Sequence, residues 1–372
     1  MAIIGTDGPD TLPGTAGNDS IEALGGNDFA TGAAGNDTII GGAGNDSLFG
    51  GTNLDNLGSG NDAIAAGEGN DLALGGDGDD IVSGEGGDDE VNGNTGLDVV
   101  RGGEGADFVR GGQDSDFVHG DGGDDWHVNG NIGDDLVEGG LGNDTMFGGQ
   151  GNDTVLGEDG NDAIDGNLGN DSLLGGQGND VLFDGDGNNV LRGEAGDDQI
   201  AAGLGRSSLF GGEGADTITA AGDGALADGG NGDDLVQGTV GNQVLVGGSG
   251  ADTLSGLLGN DSFTGGAGND TIFGDPGNAP TGLDVFIYGN GTGVDLIVDF
   301  VTAFDQFRIV ENVNGSGIDT VQEILAGLTT IPGGTQVNLG SGNAILLPGI
   351  QPTDLGINSF VFFDDGIIGP LI

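Results

Sequence analysis

One nine-residue pattern, Gly-Gly-x-Gly-x-Asp-x-U-x with U a large apolar residue, recurs through about three quarters of the chain. Gly41-Gly42-Ala43-Gly44-Asn45-Asp46-Ser47-Leu48-Phe49 shows it almost without variation. Glycines at the first, second and fourth positions permit left-handed and strained backbone, so each repeat opens with a tight turn. The x-U-x segment is long enough only for a brief strand, with U facing inward. A unit this small cannot bury its apolar face alone and must stack on copies of itself. The pattern therefore predicts a solenoid in which two units make one flattened coil.

The sixth position sets the phase. Aspartates fall at Asp10, Asp19, Asp28, Asp37, Asp46 and Asp55. The phase shortens by two residues and resumes at Asp62, Asp71, Asp80, Asp89, Asp98, Asp107, Asp116 and Asp125. It gains one residue and continues in steps of nine through Asp135, Asp144, Asp153, Asp162, Asp171, Asp180, Asp198, Asp216, Asp234, Asp252, Asp261 and Asp270. Of 30 sixth positions 26 hold Asp, and the exceptions are Asn189, Ser207, Ala225 and Gln243. Two positions later the residue is nearly always aliphatic, as at Ile21, Ile39, Leu48, Val82, Val137 and Leu254. The preference of Asp and Asn for turns does not explain one fixed phase.

With two repeats per coil, each Asp lies about one strand spacing (~4.8 Å) above the Asp one coil earlier. Carboxylates stacked that closely repel. Hard cations with oxygen ligands remove the repulsion, and calcium, which takes six to eight oxygens including turn carbonyls, suits this set better than the small, water-retaining magnesium ion. All 26 phase aspartates are therefore candidate calcium ligands.

Charge points the same way. The chain carries 62 acidic residues against five arginines and no lysine, a formal net charge of −57. High net charge with few aromatic residues is the signature of disorder unless something neutralises it. Roughly two dozen calcium ions would bring about +48, so folding is expected to depend on metal. A polyanion repels phosphates, which argues against nucleic acid as a partner. There is no cysteine for disulfides or thiolate sites and no apolar run long enough for a transmembrane segment. The start, Met1-Ala2-Ile3-Ile4-Gly5-Thr6, has no basic region or apolar stretch of a secretory signal peptide.

These repeats resemble those of the RTX (hemolysin-type calcium-binding) family over about residues 5–275. The resemblance implies an all-β fold, a right-handed parallel β-roll with an eighteen-residue coil, and calcium held between coils by the Asp carboxylates and turn carbonyls. It also implies export of the unfolded chain by a type I system through an uncleaved C-terminal signal, with folding in extracellular calcium. Sites with dissociation constants of ~10⁻⁴–10⁻³ M would stay empty in cytosol and fill outside.

The exceptions carry further expectations. Asn189, Ser207, Ala225 and Gln243 are spaced by eighteen, so one row of sites is interrupted on one edge while Asp180, Asp198, Asp216, Asp234 and Asp252 continue the other. Arg206, beside Ser207, is a candidate substitute for missing calcium charge. Asp125-Trp126-His127-Val128, beside the inserted residue, reads as a strand bulge. Arg101, Arg110, His119, Trp126 and His127 form a candidate patch for an anionic glycan or another partner, against the plainer reading of solvated face positions.

The repeat occupies 1–282, and 283–372 reads as a small β-rich cap containing one helix. Asp284–Tyr288 and Leu296–Phe300 read as strands, and Thr335–Leu339 with Ala344–Leu347 as a hairpin around Gly340-Ser341-Gly342-Asn343. Asp319 is the expected helix cap with Gln322 at the box position, ahead of an apolar stripe of Val321, Ile324, Leu325 and Leu328. By resemblance this segment is the cap and secretion-signal domain, and Asp295, Asp299 and Asp305 form a candidate extra ion site. At the other end Met1 takes the Asp phase and Ile3 the inward phase, so an open strand edge predicts end-to-end association or a partner over Ile3 and Ile4.

The expected function is a secreted, non-catalytic calcium-binding protein of a cell surface, sheath, layer or filament. The alternative is an adhesin or glycan-binding protein with a cell-surface polysaccharide as partner. An accessory module of a polymer-acting enzyme ranks below both, because no H-E-x-x-H or G-x-S-x-G is present and nothing in this sequence precedes the repeats.

Overall fold

A computed structural model describes residues 1–52, 60–275, 282–310 and 313–363. The chain divides into two compact units, Met1–Gly185 and Asp186–Ile372. Each is a parallel β-solenoid built from short strands.

In the first unit every described strand pairs in parallel with a strand two places away in the chain order. Val82, Val100, Val118 and Val137 are successive partners on one sheet. Ala73, Val91, Val109, Val128 and Met146 follow one another on the second sheet. All nine are 0% exposed. The U position thus forms two apolar columns between the sheets, each large member worth about 1.5–3 kcal/mol of burial, and only the stacked neighbours supply it.

The fourth glycine explains why the coils sit so close. Gly105 has φ 145°, and a Cβ there would overlap the carbonyl oxygen of Gly87 one coil below. Any side chain at Gly105 would collide with that carbonyl.

Two phase shifts have physical origins that the spacing disguised. Asp37 and Asp46 bond to Asp62 and Asp71, 25 residues on, and Ile39 and Leu48 pair with Ile64 and Ala73. The apparent loss of two residues is instead an added segment within one coil, and it contains Asp55, which lies outside the described residues. The repeat opened by Gly50 is completed by Asp62, whose Oδ2 lies against that glycine. The residue inserted near Trp126 makes no bulge in the strand: His127–Ile132 keeps the ordinary register, with Phe108 opposite His127 and Val109 opposite Val128. The turn absorbs the extra residue and leaves Trp126 59% exposed.

The second unit repeats the plan, with Leu191, Leu209, Ala227, Leu245 and Phe263 in one column. Parallel pairing continues past Leu283: Val285–Tyr288 stacks on Ser262–Ala267, and Val294–Ile297 on Thr271–Phe273. The column becomes aromatic, Phe263, Phe286, Phe307 and Phe360, with ring centroids 5.2–5.8 Å apart. The expected hairpin is the antiparallel pair Gly334–Gly340 and Asn343–Pro348. The one α-helix among the described residues, Val321–Gly327, is capped one residue later than expected. Thr320 accepts from the Glu323 amide, and the Glu323 carboxylate accepts from the Thr320 amide in return. Of its apolar stripe, Ile324 is buried.

Candidate metal sites along the turns

Along the described rows a phase Asp does two things at once. Its Oδ1 accepts the backbone N–H of the phase residue one coil earlier. Asp19 donates to Asp37, Asp28 to Asp46, Asp80 to Asp98 and Asp107 to Asp125, at 2.7–2.8 Å. The series runs on through Asp116 to Asp135, Asp125 to Asp144, Asp135 to Asp153, Asp144 to Asp162, Asp153 to Asp171 and Asp162 to Asp180, at 2.8–2.9 Å. In the second unit Asp198, Asp216, Asp234, Asp252 and Asp270 form the same ladder. One carboxylate oxygen per repeat is thereby fixed by the backbone.

The other oxygen faces the first glycine of its own repeat. A Cβ on Gly75 would lie 2.5 Å from Asp80 Oδ2 and 2.8 Å from the carbonyl oxygen of Gly93, so the missing side chain leaves a cradle edged by two oxygens. Most of these Oδ2 atoms are buried without any hydrogen-bond partner: those of Asp28, Asp37, Asp46, Asp71, Asp80, Asp89, Asp98, Asp107, Asp116 and Asp125 among them. The same holds for Asp135, Asp144, Asp153, Asp162, Asp216, Asp234, Asp252, Asp261 and Asp270. Native folds rarely bury acceptors this way without an ion or a donor. Burial, with neighbouring carboxylates second, pushes Asp80 up to about 7 and Asp116 and Asp125 up to about 8.

Not every phase aspartate is alike. Asp10 and Asp19 have their Oδ2 atoms taken by the amides and hydroxyls of Thr6 and Thr15, at 2.6–2.9 Å. Asp171, Asp180 and Asp198 are buried in the ladder like their neighbours. The ladder also extends beyond the residues singled out from the spacing. Asp261 donates to Asp284 and Asp270 to Asp295, each at 3.0 Å, and Asp284 to Asp305 at 3.2 Å. Asp299 accepts from Gly274 at 2.8 Å. Asp295, Asp299 and Asp305 therefore do not gather into one extra site. Asp284 and Asp295 lie at the centre of intact Gly-x-Asp-x-U half-motifs, Gly282-Leu283-Asp284-Val285-Phe286 and Gly293-Val294-Asp295-Leu296-Ile297, the signal that a count of nines passes over.

The interrupted row is closed by the protein itself. Ser207 Oγ accepts the Asn189 amide at 3.2 Å, as an Asp Oδ1 would, and donates to the Gly187 carbonyl at 3.4 Å. Gln243 Nε2 donates to the carbonyls of Gly222 and Val240 at 2.9 and 3.2 Å. Ala225 is fully buried and brings no polar group. Side-chain protons thus meet turn carbonyls in this row. Arg206 stays exposed, its side chain against Gly224.

The basic and aromatic residues form two groups on opposite sheets, not one patch. Arg101 and His119 are strand partners, as their spacing implied, and lie near Asp121, with His119 also 3.2 Å from Glu138. On the other sheet Phe108 stacks on His127 at 4.4 Å and meets Trp126 at 4.5 Å. Arg110 covers Phe108 and is paired with Glu90 at 2.7 Å. With both arginines already engaged by carboxylates, an anionic ligand has no free cation to meet at either group.

Among the described residues no three His, Cys, Asp or Glu side chains converge on a single point. A cation in these turns would draw on one or two carboxylates completed by backbone carbonyls, which is the donor set calcium accepts. The orphaned Oδ2 atoms and glycine cradles fit that requirement.

The family model for the RTX calcium-binding nonapeptide repeat (4 copies) matches residues 4–39, 24–57, 56–91, 92–126, 127–155, 138–173, 174–209, 193–224, 228–263 and 246–278. Among solved structures the chain is similar to the extracellular lipase LipA from Serratia marcescens, at 19% identity and a TM-score of 0.29. That match covers 64% of this chain and 44% of the lipase chain, less than half of its length. No curated protein matches the chain.

Proposed function

The chain belongs to the RTX calcium-binding nonapeptide repeat family, and from that premise we propose that it is a secreted, non-catalytic protein of a cell surface or extracellular layer that folds when it meets calcium. The observation that carries this reading is the row of buried Asp Oδ2 atoms without partners. Calcium, when bound, supplies the positive charge that lets these carboxylates remain ionised. The protein supplies the rest: the ladder bonds hold each carboxylate in place, and the glycine cradles bring carbonyl oxygens beside it.

Sites built this way assemble only with the fold, so ion binding and folding are one equilibrium. Low calcium inside a cell would keep the chain unfolded for export, and higher calcium outside would fold it. No helix among the described residues is long and apolar enough to cross a membrane. Self-association through the strand Ala2–Ile4 belongs to the proposal: it pairs with Ser20–Gly25, and Ile4 is 67% exposed. Calcium titration of the metal-depleted chain, followed together by circular dichroism and light scattering, tests both. Order without calcium at pH 8 or above, where the buried carboxyls are ionised, would sink the folding claim, and folding without growth in particle size would remove the association.

A second reading has its own observation. Trp126 and Phe108 line a cleft of about 330 Å³ with Asp88, Glu90 and Ala106. An aromatic wall facing carboxylates suits the apolar face and hydroxyls of an uncharged sugar, not the anionic glycan first expected. Retention of the calcium-loaded protein on a neutral polysaccharide, lost in Trp126→Ala, would favour it; equal retention of both proteins would exclude it.

A further inference from the structure

One carboxylate stands where the repeat calls for glycine. In Asp184-Gly185-Asp186-Gly187-Asn188-Asn189, Asp184 holds the first position of a repeat whose sixth position has lost its aspartate to Asn189. Asp184 ends the strand Val181–Asp184, is 0% exposed, and has no hydrogen-bond partner for either carboxylate oxygen.

Its carboxylate points into the cradle of the preceding coil. At Gly148 that cradle is edged by Asp153 Oδ2, at 2.7 Å from a Cβ position, and by the carbonyl oxygen of Gly166, at 2.9 Å. At Gly157 the two oxygens belong to Asp162 and to the Gly175 carbonyl. At Gly166 they are Asp171 Oδ2 and Asp184 Oδ2. A second full carboxylate stands at this cradle, while the sequence lost a carboxylate five residues later.

Two buried carboxylates side by side need a counter-charge. No ion pair among the described residues involves Asp184. Calcium affinity rises with the charge of the ligand set and its rigidity. We propose that Asp171 and Asp184 together hold one divalent cation, bound more tightly than the cations of repeats whose first position is glycine. The proposal rests on the calcium reading of the repeats and adds a site of a different class to it.

The test keeps the protein folded throughout. Full-length chain is saturated with radiocalcium at neutral pH and diluted into excess unlabelled calcium, and the loss of label is followed. One ion of the unaltered protein should leave roughly tenfold or more slowly than the rest. That slow ion should be absent from Asp184→Gly, which restores the repeat, and from Asp184→Asn, which keeps the side-chain volume. It should persist in the exposed control Asp186→Asn. Exchange that is unchanged in both Asp184 variants would overturn the proposal, with a shared proton as the occupant of the pair. Failure of the unaltered chain to take up calcium at all would instead overturn the reading of the repeats.

Discussion

The backbone N–H of Asp98 donates to Oδ1 of Asp116 at 2.9 Å, and Asp116 Oδ2, buried beside it, has no partner. One oxygen belongs to the fold and the other to a ligand. Repeated along both edges, that division makes the protein's stability a function of whatever meets the second oxygen.

Protons are the simplest occupant. Burial pushes the Asp98 carboxyl up to about 6 and that of Asp116 up to about 8 from an ordinary value of 3.8. A carboxyl whose folded value lies above its unfolded value holds its proton more firmly in the fold. Its contribution is complete below the unfolded value and is lost as pH rises through the folded one. Metal-free protein should therefore show its strand signal near pH 4 and lose it between about 6 and 8, the range of these two groups. Calcium added at the upper end should restore it and release protons, measurable in a weakly buffered titration. Equal order at both ends of the range without metal would contradict this.

Separating the two oxygens of Asp116 separates their roles. Asp116→Asn keeps an acceptor for the Asp98 amide and removes charge only, so it should raise the calcium concentration at half-folding with little other effect. Asp116→Ala also strands that amide, at a further cost of about 1–3 kcal/mol. Chelator-driven unfolding of the two variants checks the order. Alanine no worse than asparagine would mean that the ladder bond contributes nothing.

Close stacking makes the fourth glycine a sharper test of the fold than any core residue. In Gly105→Ala the new methyl meets the Gly87 carbonyl in a left-handed backbone, and a loss above about 1–3 kcal/mol is expected. Gly17→Ala, at the same position of an early repeat, meets nothing within 4 Å. It should leave the calcium-loaded melting temperature nearly unchanged. Equal melting of the two variants would refute the stacking account.

The repeat made the period, the inward column and the carboxylate rows legible because each depends on one residue type at one spacing. What escaped depends on insertions and on sites where two positions change together. Asp62 completes a repeat begun at Gly50, which looks like a shortened phase only when Asp55 is counted in its place. Asp284 was hidden by a similar addition. Asp184 reads as a lost glycine until its side chain is seen beside Asp171. The Arg and aromatic residues looked like one patch because neighbours in the sequence alternate between sheets: Arg101 and Arg110, nine residues apart, face opposite sides.

Gln243 gives the clearest measure of how the interrupted row works. Its amide donates to the Gly222 and Val240 carbonyls, while its own backbone N–H keeps the ladder bond to Asp261 at 2.8 Å. Its repeat also retains the first glycine, Gly238, with Gln243 Oε1 at 2.7 Å from a Cβ position there. Everything the repeat needs for a cation is therefore present except the carboxylate. Gln243→Asp should add calcium to the loaded protein, by about one ion per chain, counted by native mass spectrometry. The same change removes the two amide bonds, so metal-free stability at low pH should fall by about 1–3 kcal/mol. An unchanged ion count would show that the turn had lost more than its aspartate. A gain in calcium without any loss of metal-free stability would show that the Gln243 amide does not stand in for the ion.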